Sequence, residues 1–216
     1  MKHSVYLTSI LLIFMVGFNS CKKNDEVANA TFSIKQKNLQ LKGTDSGTFT
    51  FSKALVGVSK IDFEFETDSN DQDFKYKGVY QFNVLTGKSL PPIKPVELMP
   101  GTYHDLEIDI DDVLSSGNSI EISGTYDDGH LYHFEFTSTD DEDYDIEDTQ
   151  GISVAKGTTV NFVLYLDLKA LFKGVDFSRA KVDNDNIIRI NSLSNPDLAS
   201  IVENNLDNIM DFDQDD

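Results

Sequence analysis

The stretch LEIDID (residues 106–111) places an apolar residue at every second position, with a carboxylate after each one. Side chains of a β-strand point alternately to opposite faces, so this segment predicts a strand with one face in the core and the other in water. The stretch IDFEFE (residues 61–66) repeats the pattern. Together they indicate antiparallel sheets that are solvated on one face.

Similar alternation continues along most of the chain. It predicts further strands at residues 31–41, 48–58, 76–85, 119–126, 131–137, 152–155 and 160–168. Turn residues separate these segments, and Asp127-Asp128-Gly129 is typical of a tight hairpin. Because no helices alternate with the strands, the fold class is all-β and mainly antiparallel, and we expect a β-sandwich.

The hydrophobic period changes near the C-terminus. Asn195 is suited to cap a helix with Pro196 at its first position, and the apolar residues then recur at spacings of three and four. We therefore expect a helix at about residues 196–210 and a shorter helical turn at 169–172. Residues 211–216 carry so much charge that we expect a disordered acidic tail.

The N-terminus has the features of an export signal. Residues 5–18 are apolar, which suits a secretory signal better than a membrane span of roughly twenty residues. The sequence FNSC (residues 18–21) resembles the lipobox of bacterial lipoproteins, although Phe18 stands where that motif usually has an aliphatic residue. The resemblance implies removal of residues 1–20 and diacylation of Cys21, which would anchor the chain in a membrane.

The residues after the cysteine suggest a more specific address. Lys22, Lys23, Asn24, Asp25 and Glu26 resemble the export signal that sends Bacteroidota lipoproteins to the outer face of the outer membrane. The same composition also suits a solvated tether. We expect a lipid-anchored protein of the outer membrane that faces the cell exterior, with residues 21–30 forming the acylated cysteine and its flexible tether.

Length and charge bound the remaining possibilities. Residues 31–210 suit a single domain with its own core. The formal net charge is −19, and between Lys94 and Lys156 the chain has seventeen Asp and Glu residues and no Lys or Arg. This charge opposes binding to nucleic acid and to anionic lipid surfaces.

One acidic run is a candidate calcium site. Calcium prefers clustered oxygen ligands, and residues 140–148 offer many. The spacing does not match an EF-hand, because Asp145 stands where the motif needs glycine. We weigh a calcium loop between strands against a mobile acidic loop. The candidate calcium ligands are Asp140, Asp141, Glu142, Asp143, Asp145, Glu147 and Asp148.

Aromatic residues provide candidate ligand contacts. Tyr126, Tyr132 and Tyr144 are suited to stack on a sugar ring, although the chain has no tryptophan. Cross-strand packing is the alternative role for these tyrosines. An unknown glycan or protein is therefore the expected ligand class.

No motif in the sequence indicates catalysis. His130 and His133 are three residues apart in a predicted strand, so they project to opposite faces and cannot form a zinc pair. No nucleophile elbow or phosphate-binding loop occurs. We expect a protein that is not an enzyme and has no cofactor apart from the calcium considered above.

Three segments carry a family resemblance: YQFNVLTGK (80–88), LMPGTY (98–103) and GVDFS (174–178) followed by residues 187–191. They resemble a family of uncharacterised Bacteroidota lipoproteins, which implies a β-sandwich of unknown function with a short C-terminal helix. We expect a binding or interaction module. The alternative is a structural or adhesive subunit similar to Bacteroidota pilins. Those pilins typically mature at an arginine after the first strand region, whereas the arginines here are Arg179 and Arg189.

Overall fold

The computed structural model describes residues 27–37, 47–65, 74–206 and 209–215, and most of these lie in β-strands. The strands are β1 (Ala28–Gln36), β2 (Thr48–Phe65), β3 (Phe74–Asn83), β4 (Lys88–Leu90), β5 (Val96–Leu98), β6 (Gly101–Ile110), β7 (Ile120–Asp127), β8 (Leu131–Ser138), β9 (Glu142–Val154), β10 (Thr159–Leu166), β11 (Ile187–Ile190) and β12 (Met210–Asp215). The helices are α1 (Leu168–Leu171) and α2 (Pro196–Leu206), and Phe177–Arg179 forms a 3₁₀ turn. The fold is an all-β sandwich with a short helix near its C-terminus, as predicted.

The smaller sheet has four strands in the order β12, β10, β1 and β5. β1 runs parallel to β10, so that Phe32 lies beside Phe162, whereas the other pairings in this sheet are antiparallel. Phe32 packs edge-on against Phe82 of β3 at 5.7 Å, and Phe162 packs edge-on against Tyr103 of β6 at 6.2 Å. These contacts join the two sheets across a shared core.

The larger sheet is organised around β2. The first half of β2 pairs with β7 and its second half with β6, while β3 pairs along the opposite edge. β8 and β11 extend the sheet beyond β7, β4 extends it beyond β3, and β9 pairs with β6.

One continuous strand replaces the two separate strands predicted at 48–58 and 61–66. The register shifts between Val58 and Lys60, which is a β-bulge. Val56 and Val58 are buried before the bulge and Ile61 after it, so the buried positions change from even to odd numbers. An inserted residue has this effect on side-chain alternation, and it explains why the sequence resembles two strands.

The predicted hairpin turn is confirmed between β7 and β8. Gly129 has a φ of 105°, which glycine adopts without steric cost, and its amide donates to Asp127 Oδ1 over 2.9 Å. The turn brings Tyr126 directly opposite Tyr132 on the neighbouring strand.

Helix α2 begins at Pro196 as predicted, but it ends at Leu206 rather than near residue 210. Ala199, Val202 and Leu206 form its buried face. The Asn195 side chain does not cap the helix. Its amide accepts from Lys181 N and donates to the carbonyls of Lys181 and Arg189, so it ties the 181–183 segment and β11 to the start of α2.

The two ends of the domain also differ from expectation. Ala28 and Ala30, predicted as tether, are buried in β1. Residues 211–215, predicted as a disordered tail with residue 216, belong to β12 and pair with the edge of β10. Backbone hydrogen bonds to an open strand edge do not depend on side-chain charge, and Lys37 Nζ also pairs with Asp211 Oδ2 at 2.6 Å.

Candidate functional site

A cleft of about 300 Å³ lies between α2 and the ends of four strands. It opens where β6 and β8 end and where β7 and β9 begin. Three of its lining residues are apolar, namely Ile110, Ile120 and Leu206. The other six have polar or charged groups in their side chains: Ser138, Asp140, Tyr144, Ser200, Glu203 and Asn204.

Helix periodicity positions the α2 side of the cleft. Glu203 and Asn204 lie three and four residues after Ser200, so all three share one face of α2. The opposite face carries Ala199 and Val202 into the core. The hydrophobic packing of α2 therefore presents a polar stripe to the cleft.

Ser138 fixes the opposite wall. Its carbonyl accepts from the amide of Ser119 at 2.9 Å and from the Ser119 hydroxyl at 3.1 Å. Its own hydroxyl accepts from the Asp140 amide at 3.1 Å and contacts Glu203 Oε1 at 3.5 Å. Ser119 and Ser138 are both buried, so this network connects β7, β8 and α2 where the two carboxylates meet.

The cleft concentrates negative charge. Burial raises the pKa of the Glu203 carboxyl, and the charge of Asp140 raises it further, while the hydrogen bond to Ser138 acts in the opposite direction. Among the lining residues that the structure describes, there is no Lys, Arg or His. The two carboxylates thus face the same space without a counter-charge from the cleft wall.

The acidic run at 140–148 is mostly strand and not a loop, contrary to both alternatives considered for it. β9 begins at Glu142, and Tyr144 lies opposite Ile108 of β6 with its side chain buried. Asp143 and Asp145 point away from the core and are exposed, which is ordinary strand alternation. Asp140 lines the cleft, while Asp141 Oδ1 accepts from the Asp112 amide at 3.0 Å. The strand therefore separates carboxylates that a loop would be free to gather.

In the part of the chain that the structure describes, no group of three or more His, Cys, Asp or Glu residues is arranged to hold a metal. The side chains of Glu142, Glu147 and Asp148 lie outside the described part, and the calcium hypothesis stays a prediction. The aspartates at residues 183 and 185 are ion-paired within the chain. Arg189 binds Asp183 at 2.7 Å and Asp185 through two bonds of 3.0 and 2.6 Å.

The three candidate tyrosines do not converge. Tyr126 and Tyr132 lie at the β7–β8 hairpin, whereas Tyr144 lines the cleft at the other end of β8, about 20 Å along the strands. Tyr126 stacks on Phe177 at 4.8 Å and packs on Phe49 at 4.6 Å. Tyr126 and Tyr132 therefore take part in the cross-strand packing that was weighed as the alternative to sugar stacking.

A second group of charges lies across β2, β3 and β6. Lys60 Nζ contacts Glu107 at 2.6 Å and Asp109 at 3.6 Å, and Lys75 forms an ion pair with the fully buried Asp62. Burial raises the pKa of Asp109 although Lys60 lowers it, and the charges of Asp143 and Glu107 raise it further. Two lysines thus form ion pairs with three carboxylates, and these pairs connect β2, β3 and β6 within the sheet.

Sequence reasoning missed Ser200, Glu203 and Asn204 as candidate site residues, and considered Ser138 only as an oxygen ligand beside the acidic run. The spacing of Ser200, Glu203 and Asn204 on a predicted helix was the available signal, but nothing in the sequence shows which strands that face of the helix packs beside.

Cys21 and the export residues 22–26 lie outside the described residues. No helix in the described ranges combines the length and apolar character needed to cross a membrane.

Comparisons with protein-family models, with curated proteins and with solved structures gave no match. The chain is therefore classified by its own architecture, an all-β sandwich with a short C-terminal helix. Its candidate site is the acidic cleft beside that helix.

Proposed function

We propose that this chain is an outer-membrane lipoprotein, anchored through acylated Cys21 and facing the cell exterior, that acts as a binding module. The apolar segment 5–18 and the FNSC sequence support the anchor, and the lysine and acidic residues at 22–26 support surface export. The absence of a family match leaves the resemblance to Bacteroidota lipoproteins as part of this proposal.

The observation that carries the binding role is the cleft beside α2. It brings Asp140 and Tyr144 together with Glu203, which lies about 60 residues later in the chain, and hydroxyl and amide groups surround them. Concave sites with a few convergent polar groups are typical of ligand binding. We favour binding over catalysis because the sequence contains no nucleophile elbow or phosphate-binding loop.

The binding role is tested by screening the mature lipoprotein against surface glycans and peptides, alongside two variants. Ser200→Tyr places a large ring at the exposed mouth of the cleft, and Ser192→Tyr makes the same change in the exposed turn before α2. We expect Ser200→Tyr to abolish binding and Ser192→Tyr to preserve it. Ligands that bind both variants equally would show that the cleft is not the site.

The anchor and the address are tested separately. Labelling of cells with radioactive palmitate should mark the wild-type chain and leave Cys21→Ala unmarked. Protease added to intact cells should digest the wild-type protein, because the proposal places it on the exterior. Protection from the protease, together with digestion after permeabilisation, would place the protein on the inner side of the outer membrane.

A structural subunit is the second candidate, and the C-terminal strand favours it. β12 lies at the edge of the smaller sheet and pairs only with β10 among the described strands, so the same strand of another copy can take its place there. Surface cross-linking would support this candidate if it trapped ladders of the protein through cysteines placed in β10 and β12 of different copies. A purely monomeric product would exclude strand exchange.

A further inference from the structure

We propose that the cleft beside α2 binds a primary ammonium group carried on a short aliphatic stem. This inference rests on the proposed binding function and specifies its ligand class. It starts from the cavity of about 300 Å³, which is large enough for a small organic cation.

The charge of the cleft is the first reason. Asp140 and Glu203 face the cavity together, and the described lining contains no positive side chain. Within the described residues, neither carboxylate takes part in an ion pair, unlike Asp62, Asp183 and Asp185 elsewhere in the domain. A bound cation would supply the counter-charge that the protein itself does not provide there.

The distribution of acceptors is the second reason. An ammonium group has three N–H donors that point in different directions. Glu203 and Asn204 offer oxygens from α2, and Asp140 offers them from the segment before β9. Acceptors on two sides of the cavity suit a compact group with three donors, because it can bond to both walls at once.

The apolar part of the lining accounts for the stem. Ile110, Ile120 and Leu206 are largely buried, and all three contribute to the cavity. Methylene groups next to the ammonium would contact these side chains, as the stem of a lysine does when its charged end reaches a polar group. A neutral sugar would leave both carboxylates without a counter-charge, and a bare divalent cation would leave the apolar wall unused.

The same chemistry has two sources, a free alkylamine and a lysine side chain of another protein. Two pairs of probes separate them. The first pair is n-pentylamine and the uncharged 1-pentanol. The second is an acetylated and amidated Gly-Lys-Gly peptide and its version with acetyl-lysine. A protein ligand is indicated if the lysine peptide binds at least tenfold more tightly than pentylamine.

The test measures dissociation constants by ligand-observed NMR with the mature lipoprotein in detergent. Pentylamine should bind and pentanol should not. Glu203→Gln and Asp140→Asn should each weaken pentylamine binding by about tenfold, since each keeps an acceptor oxygen but loses the negative charge that strengthens its bond to the ammonium group. Glu97→Gln is the matched control, because Glu97 is exposed on β5 and far from the cleft lining, and it should leave the dissociation constant unchanged.

The inference is overturned if pentanol binds as well as pentylamine, if Glu203→Gln leaves amine binding unchanged, or if no amine binds. The binding function survives that failure when another ligand is found whose binding Ser200→Tyr abolishes. Both fail when neither an amine nor any screened ligand responds to Ser200→Tyr. Thermal melts of each variant establish that it is folded before its affinity is compared.

Discussion

Single residues decide both the charge of the cleft and the stability of the larger sheet. Glu203 and Asp62 are the two instructive carboxylates. Glu203 faces a cavity beside another acid, whereas Asp62 is fully buried beside a lysine. Their identities are equally visible in the sequence, but their surroundings depend on residues far away in the chain, such as Ser138 for Glu203. For this reason the sequence did not separate a binding carboxylate from a structural one.

Glu203→Gln should stabilise the domain at neutral pH. The pKa of Glu203 is raised in the folded state, so the folded protein holds its proton more tightly and stability falls as pH rises through that raised pKa. The glutamine variant lacks this penalty. We expect it to be more stable at pH 7 by about 0.5 kcal/mol, or about 1–2 °C in Tm, with the difference disappearing near pH 4.

Calorimetric melts from pH 4 to pH 8 measure this difference. Glu97→Gln is the control, since that carboxylate is exposed and does not line the cleft. A Glu203→Gln variant that is less stable at pH 7 than at pH 4, relative to wild type, would reverse the predicted sign.

Lys75→Met should destabilise the larger sheet. Asp62 is fully buried, Lys75 is its ion-pair partner, and its other carboxylate oxygen has no hydrogen bond within the described residues. Removing Lys75 leaves a buried charge without its ion-pair partner, offset by the nearby Lys60. We expect a loss of about 1–3 kcal/mol in urea unfolding at pH 7.

The double variant Asp62→Leu with Lys75→Met provides the control for this prediction. It removes the charge together with its partner, so most of the lost stability should return. Equal destabilisation in the single and double variants would mean that the lysine stem, and not its charge, supports the sheet.

At the scale of elements, alternation predicted most of the long strands, and it was also present in β12 and in the first part of β9, which were missed. The short strands β4, β5 and β11 were missed as well. Asp143-Tyr144-Asp145 in β9 and Met210-Asp211-Phe212-Asp213 in β12 follow the same apolar and acidic pattern as residues 106–111. The density of carboxylates favoured a loop and a disordered tail, because isolated strands of this composition would repel one another. In the fold, β12 pairs with the largely apolar β10. β9 pairs with β6, which has the same alternation, so that Asp145 lies opposite Glu107 and Asp143 opposite Asp109. Lys60 contacts these two β6 carboxylates. Strand pairing, which the sequence does not show, decides the outcome.

Deletion of residues 210–216 tests whether β12 is part of the fold. These residues pair with Asn161 through Leu166 of β10, so their removal opens that edge of the smaller sheet. We expect a loss of roughly 1–3 kcal/mol and faster hydrogen exchange of β10 amides. The chain ending at Ile209 keeps the buried Ile209 and its hydrogen bond to Asp167, which limits the effect to the strand. Unchanged exchange in β10 would mean that the tail is disordered, as the sequence alone suggested.

At the scale of the whole molecule, the fold brings Asp140 and Glu203 of this acidic chain to the same cavity. Lys60, Lys75 and Arg189 form ion pairs with other carboxylates of the domain. The strand pattern predicted the sandwich, but it gave no information on the cleft, since Ser138 and Glu203 are 65 residues apart and meet only when α2 packs beside β8. The proposed lipid anchor would hold this cleft at the cell surface.

Thermal melts of the mature lipoprotein test most directly whether the cleft is the functional site. The Tm is measured with pentylamine and with calcium, and each is compared with sodium chloride at the same ionic strength. At a pentylamine concentration of about 20 Kd, binding to the native state should add about 1.8 kcal/mol, or about 4–7 °C. Ser200→Tyr should lose this shift, Ser192→Tyr should keep it, and calcium should match sodium. A rise of several degrees with calcium and none with the amine would contradict the account and return the function to the acidic run at residues 140–148.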